Sequence, residues 1–162
     1  MQAGKILVAD HGGAFVIKLV GDVRLTLCTT IDDFVESMFA APDFIGVLID
    51  LTEAEGIDST TLGLLAKLAV QARQRFHLMP VILSTKPDIT RLLRSMGFSR
   101  VFDIREEFLI NDQKLGELPV AGNSEDGVRE KVIEAHRVLM GLNQNNHAKF
   151  SELVSTLESG CR

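Results

Sequence analysis

The chain has 162 residues, of which 46% are hydrophobic and 24% are charged. This composition is typical of a folded domain, and the length fits one domain with a small appendage. The formal net charge of −5 argues against a partner that is nucleic acid or an anionic membrane surface, because both require a basic protein surface.

We expect no secretory signal, and no apolar run approaches the roughly 20 residues that span a bilayer. Cys28 and Cys161 match no metal-ligand spacing and fit a reducing compartment. We therefore expect a cytoplasmic protein.

Hydrophobic periodicity predicts alternating strands and helices over the first two thirds of the chain. Gly21-Asp22 is expected to end the second strand, Asp32-Asp33 to lie in the first turn of the first helix, and residues 52–58 to form a polar loop. The predicted strands are 5–9, 14–20, 44–51, 80–84 and 101–104, and the predicted helices run from Thr29 or Thr30 to 40, from 60 to 75 and from 86 to 96. This order indicates an α/β sheet with right-handed crossovers.

The last third of the chain has a different pattern. Residues 106–123 form a connector, in which Phe108-Leu109-Ile110 could add a short strand. From residue 124 onward two apolar stripes predict a helical hairpin with Ser124 as an N-cap. We expect the hairpin to pack on the domain's own sheet or helices; the alternative is a docking or dimerisation element.

The most informative segment is 47–65, VLIDLTEAEGIDSTTLGLL. It is a buried strand and an acidic segment followed by a helix that begins at Asp58-Ser59-Thr60. Asp or Ser at such a position is commonly a helix cap worth about 1 kcal/mol. A phosphate there would also be stabilised by the free backbone N–H groups and the helix dipole.

This segment resembles the signature of the STAS-domain family of anti-sigma factor antagonists. The matching elements are Ile49-Asp50-Leu51 and Ile57-Asp58-Ser59-Thr60-Thr61-Leu62-Gly63, in order and spacing, and the likeness extends to Met96-Gly97-Phe98 before the last strand. The resemblance implies an α/β fold with a STAS-like mixed sheet and helices mainly on one face. It covers residues 1–105 as a STAS domain and leaves the connector 106–123 and a C-terminal helical hairpin at 124–162 unexplained.

The resemblance also implies a function without catalysis or cofactor. Ser59 would be phosphorylated by an anti-sigma factor that is itself a serine kinase, with Thr60 as a secondary acceptor and Asp58 as a positioning or capping residue. The unphosphorylated protein would bind that anti-sigma factor and free a sigma factor, and a Ser/Thr phosphatase would restore it. The residues expected to bind the partner are Asp22, Arg24, Gly56, Asp58, Ser59, Thr60 and Thr61.

Two positions depart from the family pattern. Thr61 replaces a glycine that would let a partner backbone approach closely, and Arg24 stands where an aspartate is expected. Either change could alter the docking edge and the kind of partner. The sequence thus leaves open a STAS module that switches another signalling protein or belongs to a transporter.

A metal-dependent phosphotransfer domain is a further alternative from a different class. Asp10, Asp22, Asp50 and Asp58 all fall near strand ends and could gather around a metal. No phosphate-binding loop, nucleophile elbow or histidine-based metal motif accompanies them. The four histidines, His11, His77, His136 and His147, are far apart in sequence, and we expect surface or packing roles for them. We therefore predict no metal site.

Overall fold

The computed structural model of the chain describes residues 2–109 and 115–160. Within these residues, strands alternate with helices as the periodicity predicts. The strands are β1 Lys5–His11, β2 Ala14–Val23, β3 Gly46–Ile57, β4 Val81–Leu83, β5 Asp103–Arg105 and β6 Gly116–Glu117; the helices are α1 Cys28–Ala40, α2 Ser59–Phe76, α3 Pro87–Ser95, α4 Glu125–Met140 and α5 Gln144–Ser159.

The strands form one mixed sheet in the order β5-β4-β3-β2-β1-β6. β1 is antiparallel to both β2 and β6, whereas β2, β3, β4 and β5 run parallel to their neighbours. The parallel pairs are joined through helices, as parallel strands require. The α/β fold with a mixed sheet is confirmed.

The hydrophobic core lies between the sheet and the helices. Phe15, Ile17 and Leu19 alternate along β2 and enter the same buried cluster as α1, α2 and α3. Helix α2 supplies its expected apolar stripe to this cluster: Leu62, Leu65, Ala69 and Ala72 are all buried. The same cluster continues into the C-terminal hairpin through Ala135, Leu139, Leu142 and Phe150.

The acidic segment 52–58 is not the polar loop that its composition predicts. It continues β3 as far as Ile57 and pairs in parallel with the end of β2. The burial alternates along it, with Glu53 and Glu55 exposed and Ala54 buried between them. This period of two is a strand signal that the acidic composition obscured.

Strand β2 is also longer than predicted, because Gly21 does not end it. Gly21 adopts φ +78° at a shift in register between β2 and β3, and the strand then runs on to Val23. A glycine with positive φ inside a strand is typical of a bulge rather than a terminus. The extended β2 and β3 therefore end together beside the start of α2.

The start of α1 also differs from the prediction. The helix begins at Cys28, after a 3-10 turn at Leu25–Leu27, so Asp32 and Asp33 fall beyond its first turn. The prediction that these carboxylates complement the helix dipole was wrong.

Strand β5 also begins later than predicted, at Asp103 rather than Val101, because the preceding 3-10 turn at Phe98–Arg100 is capped by Val101.

The connector carries its added strand later than expected. Phe108 and Leu109 are not in a strand, and Ile110 lies outside the described residues. Gly116–Glu117 forms β6 instead, on the free edge of β1. The chain is then held to the domain by three hydrogen bonds: Leu118 N–H to Ile6 O, Ala121 N–H to Thr30 Oγ1, and Asn123 Nδ2 to Thr26 O.

The hairpin packs on the domain, as expected. Ser124 caps α4 by accepting a hydrogen bond from Gly127 N–H, and Asn143 caps α5 by accepting one from Asn146 N–H. Helix α4 lies along α2, and α5 lies against α4. Across the described ranges, no helix combines the length and apolar character needed to cross a bilayer.

Candidate functional site

The Asp58 carboxylate organises the edge at which β3 meets α2. Its backbone is extended, with φ −84° and ψ 168°, and its Oδ1 accepts a hydrogen bond from Thr61 N–H at 2.9 Å. Its Oδ2 accepts a second bond from Leu25 N–H at 2.7 Å. Asp58 is thus the N-cap of α2 and also ties the 3-10 turn before α1 to this helix.

Ser59 is the first residue of α2 and is partly exposed. Its Oγ lies 2.7 Å from Nε2 of His136, a residue of α4 that is 2% exposed. The other ring nitrogen, Nδ1, lies 2.7 Å from the carbonyl oxygen of Val132. A carbonyl oxygen only accepts, so Nδ1 carries a proton, and in this tautomer of the ring the Ser59 hydroxyl donates to Nε2.

Thr60 and Thr61 are turned into the protein. Both are buried, at 3% and 0% exposure, whereas Ser59 is partly exposed. Thr61 Oγ1 has no hydrogen-bond partner within the described structure. The residue that replaces the family's glycine therefore faces the interior, and of the three successive hydroxyl residues only Ser59 lies at the edge.

Asp22, Arg24 and Gly56 lie on the same edge as Asp58. Asp22 aligns with Gly56 across the β2–β3 pair, and Asp58 N–H donates to Val23 O just beyond it. Arg24 Nε donates to Asp22 Oδ2 at 2.9 Å. The side chains expected to bind a partner are therefore gathered at one end of the sheet, apart from the buried Thr60 and Thr61. We call Asp22, Arg24, Gly56, Asp58 and Ser59 the switch edge.

The switch edge has acidic neighbours. Glu53 and Glu55 project from the exposed side of β3, and Lys18 forms an ion pair with Glu53. Arg24 is the basic side chain of the edge itself, and its paired Asp22 balances it. A further anion at Ser59 would therefore add to charge that is already negative.

Helix α4 comes into backbone contact with α2 one turn beyond Ser59. A Cβ on Gly63 would lie 2.3 Å from the carbonyl oxygen of Ala135 and 2.6 Å from its Cβ. Ala135 is fully buried. Gly63 is therefore a packing residue that allows the two helices to approach this closely.

An ion-pair network links the same two helices to α1. Lys67 of α2 donates to Asp32 of α1 at 3.0 Å and to Glu134 of α4 at 2.5 Å. Lys131 of α4 donates to Asp32 at 2.6 Å. Burial alone would raise the pKa of Asp32, but the hydrogen bonds from Lys131 and Lys67 outweigh it and hold that pKa below its ordinary 3.8.

The pKa values of the two lysines of the network shift in the opposite direction. Burial alone would lower the pKa of Lys67, but its bonds to Glu134 and Asp32 raise it above the ordinary 10.5. The pKa of Lys131 is likewise raised, because its bond to Asp32 outweighs burial. All three shifts favour the charged, paired state in the folded protein.

The four aspartates considered as metal ligands have separate partners. Asp10 accepts from Gly13 N–H, and Asp50 accepts from the backbone and the hydroxyl of Thr52. Asp22 pairs with Arg24, and Asp58 caps α2. Over residues 2–109 and 115–160, no three histidine, cysteine, aspartate or glutamate side chains are grouped so as to hold a metal ion.

Two residues of the site could not be found from sequence. His136 belongs to the same face of α4 as Val132, but no local pattern indicates that this face meets Ser59. Leu25 is 40% exposed beside the switch edge and binds Asp58 through its backbone N–H, which any residue type except proline supplies. Only the tertiary structure reveals either contact.

Comparison with known proteins identifies the family. The STAS domain model matches residues 5–108, about two thirds of the chain, and the protein belongs to the STAS domain family. A crystal structure of an anti-sigma factor antagonist from Mycobacterium paratuberculosis is similar to this chain with a TM-score of 0.54 and 19% sequence identity. The match covers 65% of this chain and 87% of that one. No curated protein sequence matches.

Proposed function

We propose that the protein is an anti-sigma factor antagonist of a bacterial partner-switching system and works in the cytoplasm. In its unphosphorylated form it binds an anti-sigma factor that is also a serine kinase, and a sigma factor is released. The kinase phosphorylates Ser59 and thereby ends the complex, and a Ser/Thr phosphatase regenerates the binding form. The protein is a ligand and a substrate and catalyses no reaction.

The position of Ser59 carries this proposal. It is the first residue of α2, directly after the cap Asp58, and it lies on an edge where Asp22, Arg24 and Gly56 meet. Backbone N–H groups at a helix N-terminus stabilise an added phosphate, so phosphorylation need not unfold α2. The change is then a local gain of about two negative charges on the surface.

Charge explains how that gain would end a complex. Asp58 directly precedes Ser59, and Glu55 is exposed near the end of β3, so a partner that docks here meets acidic side chains before any phosphate is added. A phosphate at the centre of such an interface costs desolvation and repels acidic groups on the partner. The same position thus serves both for docking and for release.

Three full-length variants test the proposal. Ser59→Ala, Ser59→Asp and Ser59→Asn are immobilised, incubated with a lysate of the native cells, and the retained proteins are identified by mass spectrometry. Asn matches Asp in size without its charge, so it separates charge from volume. We expect Ala and Asn to retain an anti-sigma kinase and Asp to lose it.

The outcome also distinguishes the alternatives. Equal retention of the kinase by Ser59→Ala and Ser59→Asp would exclude a phosphorylation switch at this residue. Recovery of a transporter ATPase or of another signalling protein, in place of an anti-sigma kinase, would assign the module to that system instead.

A further inference from the structure

The surface of α2 that begins at Ser59 is occupied by the C-terminal hairpin. Ser59, Gly63 and Lys67 recur one helical turn apart and so lie on one face of α2. Ser59 contacts His136, Gly63 contacts Ala135, and Lys67 contacts Glu134 of the antiparallel α4. The proposed phosphorylation site is therefore the first position of a helix–helix interface.

The hydroxyl of Ser59 is engaged in that interface. The hydroxyl donates its proton to Nε2 of His136. The imidazole is buried and packs edge-on against the ring of Phe150 of α5, with 4.9 Å between the two ring centroids. A kinase must bring the hydroxyl oxygen in line with a phosphoryl donor and must hold its proton with a base of its own. While the hairpin is docked, the hydroxyl is instead held against Nε2 of His136.

We propose that the hairpin α4–α5 is an autoinhibitory cover on Ser59. In the docked state it withholds the hydroxyl and the adjoining face of α2 from a kinase, and Ser59 becomes accessible when the hairpin lifts away. This inference rests on the proposed function for the identity of the modifying enzyme, but the occlusion itself is a property of this chain.

The interface is suited to reversible opening. It includes polar contacts that water can replace: the Ser59–His136 hydrogen bond and the ion pairs of Lys67 and Lys131. The exposed hydroxyl of an open state would be solvated, and the ion-pair groups are already partly exposed. The interface also buries Ala135, Leu139 and Phe150 in the core, so the open state is a minor one. The polar contacts make opening less costly than breaking an equal area of purely apolar core.

Thiol labelling of the full-length chain tests the cover without a kinase. Ser59→Cys is made in a Cys161→Ser background, and its reaction with a soluble disulfide reagent is followed over time. Cys28 is buried, and burial raises the pKa of its thiol, so it reacts slowly. The labelling rate depends both on access of the reagent and on the fraction of thiolate, so each variant's rate is divided by the thiolate fraction found from its pH dependence. The corrected rate reports how far position 59 is exposed.

Ala135→Leu is the variant that opens the cover, since the larger side chain cannot fit against Gly63. Ala148→Leu is its matched control, because Ala148 lies on the exposed face of α5. We expect Ala135→Leu to raise the labelling rate at position 59 about tenfold or more, as overpacking an interface shifts its docking equilibrium by such a factor. Ala148→Leu should leave the rate unchanged.

A second variant guards against loss of the fold. Lys131→Glu places a carboxylate against Asp32 at the rim of the interface and should also accelerate labelling. A variant is interpreted only if amide hydrogen exchange in β2 and β3 is as slow as in the parent protein, which shows that the sheet is still folded. If the folded Ala135→Leu and Lys131→Glu proteins are labelled at the same rate as the parent, the proposal that the hairpin covers Ser59 is refuted.

Phosphorylation by the anti-sigma kinase separates this inference from the proposed function. With Ser59 intact, the kinase should modify Ala135→Leu faster than Ala148→Leu. Equal modification of both variants would overturn the cover and leave the proposed function standing. Faster labelling of Ala135→Leu with no modification of either protein would establish the cover and refute the proposed kinase switch.

Discussion

At the residue scale, Gly63 shows how one missing side chain fixes the arrangement of two helices. Glycine inside a helix is unfavourable by roughly 1 kcal/mol relative to alanine, so propensity alone would favour replacement. The carbonyl of Ala135 occupies the place where a Cβ would stand. Packing against α4 therefore outweighs local propensity at this position.

Gly63→Ala should accordingly destabilise the protein, by about 1–3 kcal/mol, because the added methyl overpacks the α2–α4 contact. Urea denaturation followed by circular dichroism measures the free energy of unfolding. Gly141→Ala is the control: Gly141 has helical backbone angles, and its added Cβ would meet only ordinary contacts at 3.4 Å and beyond. A gain in stability for Gly63→Ala would contradict the close approach of the helices.

At the scale of elements, α1, α2 and α4 are joined through one carboxylate. Asp32 receives Lys67 from α2 and Lys131 from α4, and these groups are only partly exposed. Because the pKa of Asp32 is lowered in the folded state, its contribution to stability is present above its ordinary pKa of 3.8 and is lost as the pH falls through the lowered value.

The raised pKa values of Lys67 and Lys131 affect stability at alkaline pH. The two lysines stabilise the folded protein below the ordinary pKa of 10.5, and this stabilisation is lost as the pH rises through the raised pKa values. Glu134 bonds to Lys67, and Asp33 adds a weaker attraction to Lys131. The network is therefore intact throughout the neutral range.

Asp32→Asn should reduce the free energy of unfolding by about 1–2 kcal/mol near neutral pH, because two lysines lose a charged acceptor. Repeating the urea titration at about pH 3 should shrink this difference, because below the ordinary pKa of 3.8 the unfolded parent protein takes up a proton that folded Asp32 resists. Asp33→Asn, at the exposed neighbouring position, should have a smaller effect. A difference that is constant with pH would argue against a paired Asp32.

At the scale of the whole molecule, the sheet and the hairpin should differ in local stability. β2 and β3 lie in the interior of the sheet, with a partner strand on each side, whereas α4 and α5 are added to one side of α2. Native-state amide exchange should therefore show lower protection for α4 and α5 than for β2 and β3. Equal protection throughout would mean that the hairpin opens only with global unfolding.

Local patterns were enough to predict the α/β order, the hairpin and the start of α2. Strand alternation, helical stripes and capping residues such as Asp58 and Ser124 each act within a few positions of the chain. The acidic run around Glu53 predicts a loop by its charge, but its burial alternates as in a strand, so composition conceals the strand period there.

The contact that defines the site could not be predicted. Ser59 and His136 are 77 positions apart, and their pairing depends on how α4 packs along α2. That packing is set by Gly63, whose role is visible only beside Ala135. Sequence reasoning thus located the hydroxyl but not its hydrogen-bond acceptor.

Residues 118–123 are hydrogen-bonded to β1, to α1 and to the 3-10 turn before α1, and this attachment affects how another molecule competes with the hairpin for α2. Because this segment stays attached next to α1, a hairpin that has lifted from α2 remains tethered close to its binding surface. A short tether gives an effective local concentration on the order of millimolar. A molecule that competes for the same face of α2 at micromolar concentration must therefore bind it about a thousandfold more tightly than the hairpin does.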